Sequence, residues 1–397
     1  MQQGQHTITP HGPHAVLGRR VFDGRRWHRD AAVLIEDGRV RGLAAWGEVP
    51  ADWPRRRLPD GALLVPGFID LQVNGGGGIL LNDHPTAETM RAIARVHRRY
   101  GTTACLPTLI TDSRQQTQAA IAAARTAAGS GGVLGLHLEG PFISPARAGI
   151  HRADHIAVPR LSDLDWLADL AEAGRSLVTL APERLPDGFL MRLAAAGIRV
   201  SVGHSEATAE VVMRAVEDGL TGVTHLFNAM PPLAGREPGI VGAAFAEERL
   251  TAGIIVDGIH VDPITVRAAF AAKGADGIAL VTDAMPSVGA SLNQFQLMGR
   301  IVSLSAGRLT GKDGTLAGAH LDMASAVRNA VRLAKLSLDD ALRAASLTPA
   351  RFLGLERECG ALVCGTRADM VALTPDLDVI GTWVEGVEQR YEAVNLS

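Results

Sequence analysis

The chain has 397 residues, a formal net charge of −3, 47% hydrophobic and 20% charged residues. This is a globular balance with no basic field or polybasic tail to draw nucleic acid, and aromatic residues, at 4%, are too sparse for a base-stacking platform. The three cysteines, Cys105, Cys359 and Cys364, suit neither a disulfide framework nor a paired-cysteine zinc site, so free thiols in a reducing cytosol are expected.

Residues 1–14 are polar and rich in His, Gly and Pro; they read as a loose leader without the apolar core of a secretory signal. No apolar run reaches the roughly 18 residues of a membrane span, and a cytoplasmic protein is expected. "HAVLGRRVFDG" and "AAVLIEDGRVRGL" follow as β runs punctuated by Asp-Gly turns. Apolar runs then alternate with Ala-rich amphipathic segments such as "TAETMRAIARVHRRYG", "EATAEVVMRAVEDG" and "DPITVRAAFAAKG". The expected strands are 63–73, 102–110, 133–139, 177–183, 198–204, 222–228, 252–258 and 278–284. Near-continuous apolar strands in βα alternation predict a parallel sheet covered on both faces, and eight such units predict a (β/α)8 barrel. The tail "CGALVCGTRADMVALTPDLDVIGTWVEGVEQRYEA" returns to a β pattern. Residues 1–62 and 353–397 are therefore expected to build one small β domain from both termini, beside a barrel over 63–352.

Polar residues gather at one end of the expected strands. Gln72 and Asn74 close the first, Glu139 the third, His204 the fifth, and His225 with Asn228 the sixth; Asp257 and His260 follow the seventh, and Asp283 closes the eighth. In a parallel barrel these positions share the C-terminal mouth, where barrel enzymes place their chemistry. "GLHLEGPFISP" sets His137 and Glu139 on one face of an otherwise apolar strand, and a buried carboxylate needs a positive partner.

Glu139, His204 and His225 form a three-ligand set for one divalent cation, Zn²⁺ first and Fe²⁺, Co²⁺ or Mn²⁺ as alternatives, with a position left open for water. His137 is either a satisfied core residue or a neighbour that steadies the ligands. His6, His11, His14, His28, His84, His97 and His155 lack this strand-end setting and are expected to face solvent. Asp283, in "LVTDAMP", is placed to accept a proton from a water whose pKa a cation lowers from roughly 15.7 to about 7, then to return it to a leaving amine. Arg236 shares the loop "THLFNAMPPLAGREPG" with Asn228; its planar fork suits a phosphate or carboxylate, or it simply faces solvent.

Together and in this order, "PGFIDLQVNG", "LPTLIT", "GLHLEGPF", "VTLAPE", "VSVGHSEA", "THLFNAMPPLAGREPG", "DGIHVD", "LVTDA" and "GTLAGAHLDM" resemble the N-acetylglucosamine-6-phosphate deacetylases of the amidohydrolase superfamily. The similarity runs from about residue 63 to 350, and "GALVCGTRADMVAL" resembles that superfamily's return into its small domain. It implies a TIM-like (β/α)8 barrel, a small β-sandwich from both termini and a homodimer. The implied reaction is hydrolysis of the acetamide of N-acetyl-D-glucosamine 6-phosphate to glucosamine 6-phosphate and acetate, in amino-sugar catabolism and cell-wall recycling.

The resemblance carries metal ligation onto Glu139, His204 and His225, and the catalytic aspartate onto Asp283. The histidine that polarises the acetyl carbonyl falls on His151 in "AGIHRAD". Substrate contacts fall on Ile150, His151, Asn228, Ala229, Arg236 and His260, and on Leu316, Ala317 and Gly318 in "GTLAG", with Arg236 resembling the phosphate-binding arginine.

Many amidohydrolases carry His-x-His after the first strand and bind two metals. Here that site reads Gln72-Val73-Asn74; neutral amides are poor ligands beside imidazole, so one metal per subunit is expected. His320, in "GAHLDM", has no role in this reading. The same chemistry on N-acetylgalactosamine 6-phosphate differs at a single hydroxyl that the sequence leaves open. Cyclic-amide hydrolases and aminoacylases usually show His-x-His and often a bridging lysine, neither evident here. A catalytically dead barrel is opposed by the intact Glu139, His204, His225 and Asp283.

Overall fold

The computed structural model describes residues 12–389. Most of the expected leader, with His6 and His11, lies outside the described residues, and its last residue, His14, already begins a strand.

Eight parallel strands form the central sheet in chain order: Phe68–Val73, Thr102–Ile110, His137–Glu139, Leu177–Leu180, Arg199–Val202, Gly222–Val223, Thr251–Ile254 and Ile278–Leu280. Helices intervene, among them Ala87–His97, Arg114–Ala127, Ala209–Glu217 and Pro263–Lys273. Their starts follow capping chemistry: Thr86, Ser113, Thr208 and Asp262 each accept a first-turn N–H, with Pro263 where a donor is not needed. One continuous apolar core fills the space between strands and helices.

The eighth strand's extension closes onto the first. Val73 bridges Ala284, Asp283 N donates to Gln72 O at 3.0 Å, and Asn74 N donates to Ala284 O at 2.9 Å. Fully buried Asp70 ties the same seam, accepting from Gln72 N and Thr282 N at 3.2 Å each and from Thr282 Oγ1 at 2.6 Å. Burial pushes its carboxyl up to about 7, against those hydrogen bonds.

The run 63–73, expected as one strand, is two strands in two sheets. Leu63–Pro66 lies between His14–Phe22 and Met370–Leu373 in an eight-stranded sheet drawn from both termini, while Phe68–Val73 enters the barrel. The chain changes sheets at Gly67, whose N–H donates to Asp369 O at 2.9 Å. A Cβ there would lie 2.2 Å from Thr103 Oγ1. The Pro66-Gly67 pair inside the apolar run is the sequence signal for this break. The terminal sheet also contains the hairpin Trp27–Glu36 and Arg39–Ala45, turned by Asp37 and Gly38, both at positive φ. Apolar residues pack on both its faces.

A three-stranded antiparallel sheet, Gln294–Leu297, Arg300–Ser305 and Arg308–Thr310, was not anticipated. Its signal was present in "QFQLMGRIVSLSAGRLT": period-two alternation with Met298-Gly299 and Ala306-Gly307 at the turns, all four at positive φ. Leu297, Val302 and Leu309 pack it onto Ile110, Met285 and Ala317 beside the barrel mouth.

Gly67→Ala should lower stability by about 1–3 kcal/mol through overpacking against Thr103. Gly47→Ala, where a Cβ meets nothing within 4 Å, should be close to neutral. Urea midpoints of the two variants check the contrast.

Candidate active site

The mouth of the barrel brings Glu139, His204 and His225 together. Glu139 Oε1 lies 2.8 Å from His225 Nε2 and 3.2 Å from His204 Nε2, and the two ring nitrogens are 3.0 Å apart. All three residues are buried. His204, His225 and Asp283 sit in left-handed backbone at φ 48°, 30° and 50°, a strained conformation for such residues that recurs at functional sites. His204 Nδ1 is held 2.8 Å from Arg147 O, which fixes that nitrogen as donor and turns Nε2 toward the carboxylate. The donor set, one carboxylate and two imidazoles, fits a divalent cation; tetrahedral ligands at about 2.0–2.1 Å span about 3.3 Å, close to the edges seen here. Burial pushes the Glu139 carboxyl up, but hydrogen bonds to His204 and His225 hold it well below its ordinary value. The reciprocal bond raises His225 against its burial.

Asp283 joins this group through amides rather than directly. Gln72 Nε2 donates to Glu139 Oε1 at 2.9 Å and to Asp283 Oδ1 at 3.1 Å, and Asn74 Nδ2 donates to Asp283 Oδ1 at 2.6 Å. The Gln72 amide thus separates two carboxylates that would otherwise repel. Burial, reinforced by the Glu139 charge, pushes Asp283 up to about 6. That places it near the pKa of an efficient proton acceptor.

His151 is tethered through Nδ1 to Thr111, at 2.8 Å from its Oγ1 and 3.4 Å from its N–H, so the other ring nitrogen faces Glu139 Oε2 at 3.7 Å. Burial, then the neighbouring His204, pushes His151 down to about 3. Ligand atoms of Glu139, His151 and His204 also fall within 4.8 Å of one another, so four side chains compete for three positions. The tighter triangle contains His225.

His137 is a satisfied core residue. Its Nδ1 lies 3.0 Å from Leu71 O and its Nε2 2.7 Å from Thr179 Oγ1, and burial pushes it down to about 4. Two histidines expected in solvent are buried instead. His97 completes the inward stripe Met90, Ile93, Ala94 and holds Gly75 O at 2.9 Å, while His14 holds Gly386 O at 3.0 Å and stitches the two termini. His28 is half-buried beside Asp23 at 2.7 Å, His155 is partly buried beside Asp112 at 3.6 Å, and His84 is exposed.

Above the cluster lies a cavity of about 380 Å³. Its lining includes Ile150, His151, Asn228, Ala229, His260, Leu316 and Gly318, all anticipated from the sequence. Ala317 is buried behind this wall, and Arg236 stands exposed on its loop and does not line the cavity. His260 is locked by Asp257, whose Oδ2 lies 2.7 Å from Nδ1. Arg147 lines the cavity and was missed, because a lone arginine in "FISPARAG" gives no local sign of the wall it joins. His320 lies 2.9 Å from Ser287 Oγ and is not part of the lining. Among the described residues no helix is long and apolar enough to cross a membrane. All three cysteines are free, Cys105 and Cys359 buried and Cys364 exposed.

The model of the amidohydrolase family matches residues 63–388. The chain is 42% identical to an N-acetylgalactosamine-6-phosphate deacetylase of Shewanella sp. (strain ANA-3), over 95% of each chain. It is 36% identical to an N-acetylglucosamine-6-phosphate deacetylase of Haemophilus influenzae, over 90% of this chain and 94% of the relative. Its fold is similar to the crystal structure of an N-acetylglucosamine-6-phosphate deacetylase from Pasteurella multocida, with a TM-score of 0.91 and 33% identity over 96% of this chain and 100% of that one.

His225→Ala should lose stoichiometric divalent metal, whereas His151→Asn should retain it, as read by elemental analysis of the purified proteins. The reverse pattern would assign the third position to His151.

Proposed function

The chain belongs to the amidohydrolase family, and from that premise we propose that it removes the acetyl group of N-acetyl-D-glucosamine 6-phosphate, releasing D-glucosamine 6-phosphate and acetate. The observation that carries this reading is the joining of Asp283 to the Glu139–His204–His225 cluster at the floor of one cavity.

Glu139, His204 and His225 would hold one divalent cation, Zn²⁺ by the chemistry of its donors. Such an ion supplies Lewis-acid activation of water and stabilises negative charge developing at a carbonyl. Asp283 accepts the proton of the attacking water, aided by its raised pKa, and returns it to the nitrogen of the departing amine. His151, kept neutral by burial, faces the acetyl carbonyl oxygen as charge develops there. Thr111 fixes the angle of that ring. His260, oriented by Asp257, and the chain at Asn228 and Ala229 take the phosphate, so binding energy remote from the amide positions it for attack. Ile150, Leu316 and Gly318 frame the sugar, with Ala317 packed behind them. Arg236 remains outside this cavity in the single chain, and the homodimer expected from the resemblance is part of the proposal.

The 42% identity to a galactosamine-type deacetylase favours N-acetylgalactosamine 6-phosphate as a second reading. Acetate release from the two epimers at equal concentration tests both: a faster galacto rate selects the second, and no acetate from either rejects deacetylation.

Asp283→Asn should cut kcat by about 10²–10⁴-fold while metal content stays near wild type. The base must be ionised to accept a proton, so kcat/KM should fall with decreasing pH through a limb at about 6 or below, a bound cation drawing it lower. A rate profile flat down to pH 4 would remove Asp283 from this role.

A further inference from the structure

We propose that Glu183 is a positioning residue for the metal ligand His204: its carboxylate clasps the turn that follows His204 and so keeps the imidazole aimed at Glu139. This rests on the metal-binding part of the deacetylase reading above and adds a residue that reading does not use.

The segments "VTLAPE" and "VSVGHSEA" lie at the ends of two neighbouring barrel strands, Leu177–Leu180 and Arg199–Val202. Their last residues meet. Glu183 Oε2 accepts from Ser205 Oγ at 2.7 Å, and Glu183 Oε1 accepts from Glu206 N at 2.8 Å. Ser205 Oγ in turn accepts from Ala207 N at 3.0 Å, which carries the hold one residue further. Glu183 is exposed and Ser205 is fully buried, so a side chain in water grips a hydroxyl inside the protein. Both oxygens of one carboxylate are thus committed to a single turn of the chain.

That turn is the one needing support. His204 has φ 48°, and a residue with a Cβ holds the left-handed region only when its surroundings impose it. Three loops impose it here. From the loop after the third barrel strand, Ser144 N donates to His204 O at 2.8 Å, and Arg147 O holds His204 Nδ1 at 2.8 Å. From the loop after the sixth, Ala229 O accepts from Ser205 N at 3.3 Å. Glu183 closes the remaining side from the fourth, and its bonds are the charge-assisted ones. Without that clasp the turn can relax toward ordinary backbone, taking His204 Nε2 out of its 3.2 Å approach to Glu139 Oε1. Groups that orient a ligating histidine in this way commonly set metal affinity.

Two competing roles are a purely structural one and long-range attraction of a cation by the Glu183 charge. Zinc dissociation constants would be measured by chelator competition on wild type, Glu183→Ala, Glu183→Gln and Asp187→Ala, with urea midpoints of the metal-free proteins alongside. Glu183→Ala should weaken zinc binding by about 10- to 100-fold. Glu183→Gln should recover most of that loss, because its amide oxygen can accept from Glu206 N while its amide nitrogen donates to Ser205 Oγ. Asp187→Ala removes an equal charge from an exposed position on the same loop and should keep wild-type affinity. Unchanged zinc affinity in Glu183→Ala, with only its metal-free midpoint lowered, overturns the inference in favour of structure. Equal weakening in Glu183→Gln or in Asp187→Ala overturns it in favour of charge. Should Glu183→Ala not fold, Ser205→Ala decides alone: weaker zinc binding supports the clasp and wild-type affinity overturns it. Wild type that binds zinc but releases no acetate rejects the deacetylase reading and leaves this inference standing; wild type that binds no zinc overturns both.

Discussion

A carboxylate buried at the end of a barrel strand is the constraint around which the rest of the mouth is arranged. Glu139 has almost no contact with solvent, so every lone pair it presents must be met by the protein or by a cation. Two imidazoles and the Gln72 amide converge on it from strands distant in sequence. None of these partners would find the others without the closed parallel sheet. The strained backbone at His204, His225 and Asp283 follows from the same demand: each side chain is turned inward at the point where its strand ends.

The seam between the first and last barrel strands is therefore both structural and chemical. Its backbone hydrogen bonds run between Gln72, Asp283, Asn74 and Ala284, and the side chains of those first three residues form the bridge to Glu139. Asp70 and Thr282 lock the seam one layer below. A shift of register there would move the proton acceptor relative to the carboxylate cluster, so barrel closure and active-site geometry are a single requirement.

Much of this was legible in the sequence because the barrel imposes a regular placement. Apolar runs in βα alternation marked the strands, and polar residues at their ends marked the mouth; the run 102–110 coincides with the observed strand. What escaped had specific physical causes. Gly67 split one apolar run into two sheets because Thr103 occupies the space a side chain would need, a tertiary contact with no local signature beyond the Pro-Gly pair. His97 was read as a surface residue although Met90, Ile93 and Ala94 already defined its face as inward. The three-stranded sheet over 294–310 was hidden among barrel units whose rhythm it does not share. For the two arginines, loop composition left Arg236 open and the resemblance favoured it, whereas cavity lining depends on how loops fold over the mouth and includes Arg147.

The strand Leu63–Pro66 has a consequence for how the molecule is made. One neighbour, His14–Phe22, precedes it closely, while the other, Met370–Leu373, lies beyond the entire barrel. During synthesis its far edge stays without a partner until Met370–Leu373 emerges, and the closure that joins the two encloses the whole barrel. Until then the amino-terminal strands present an unpaired edge, which Met370–Leu373 covers in the finished fold.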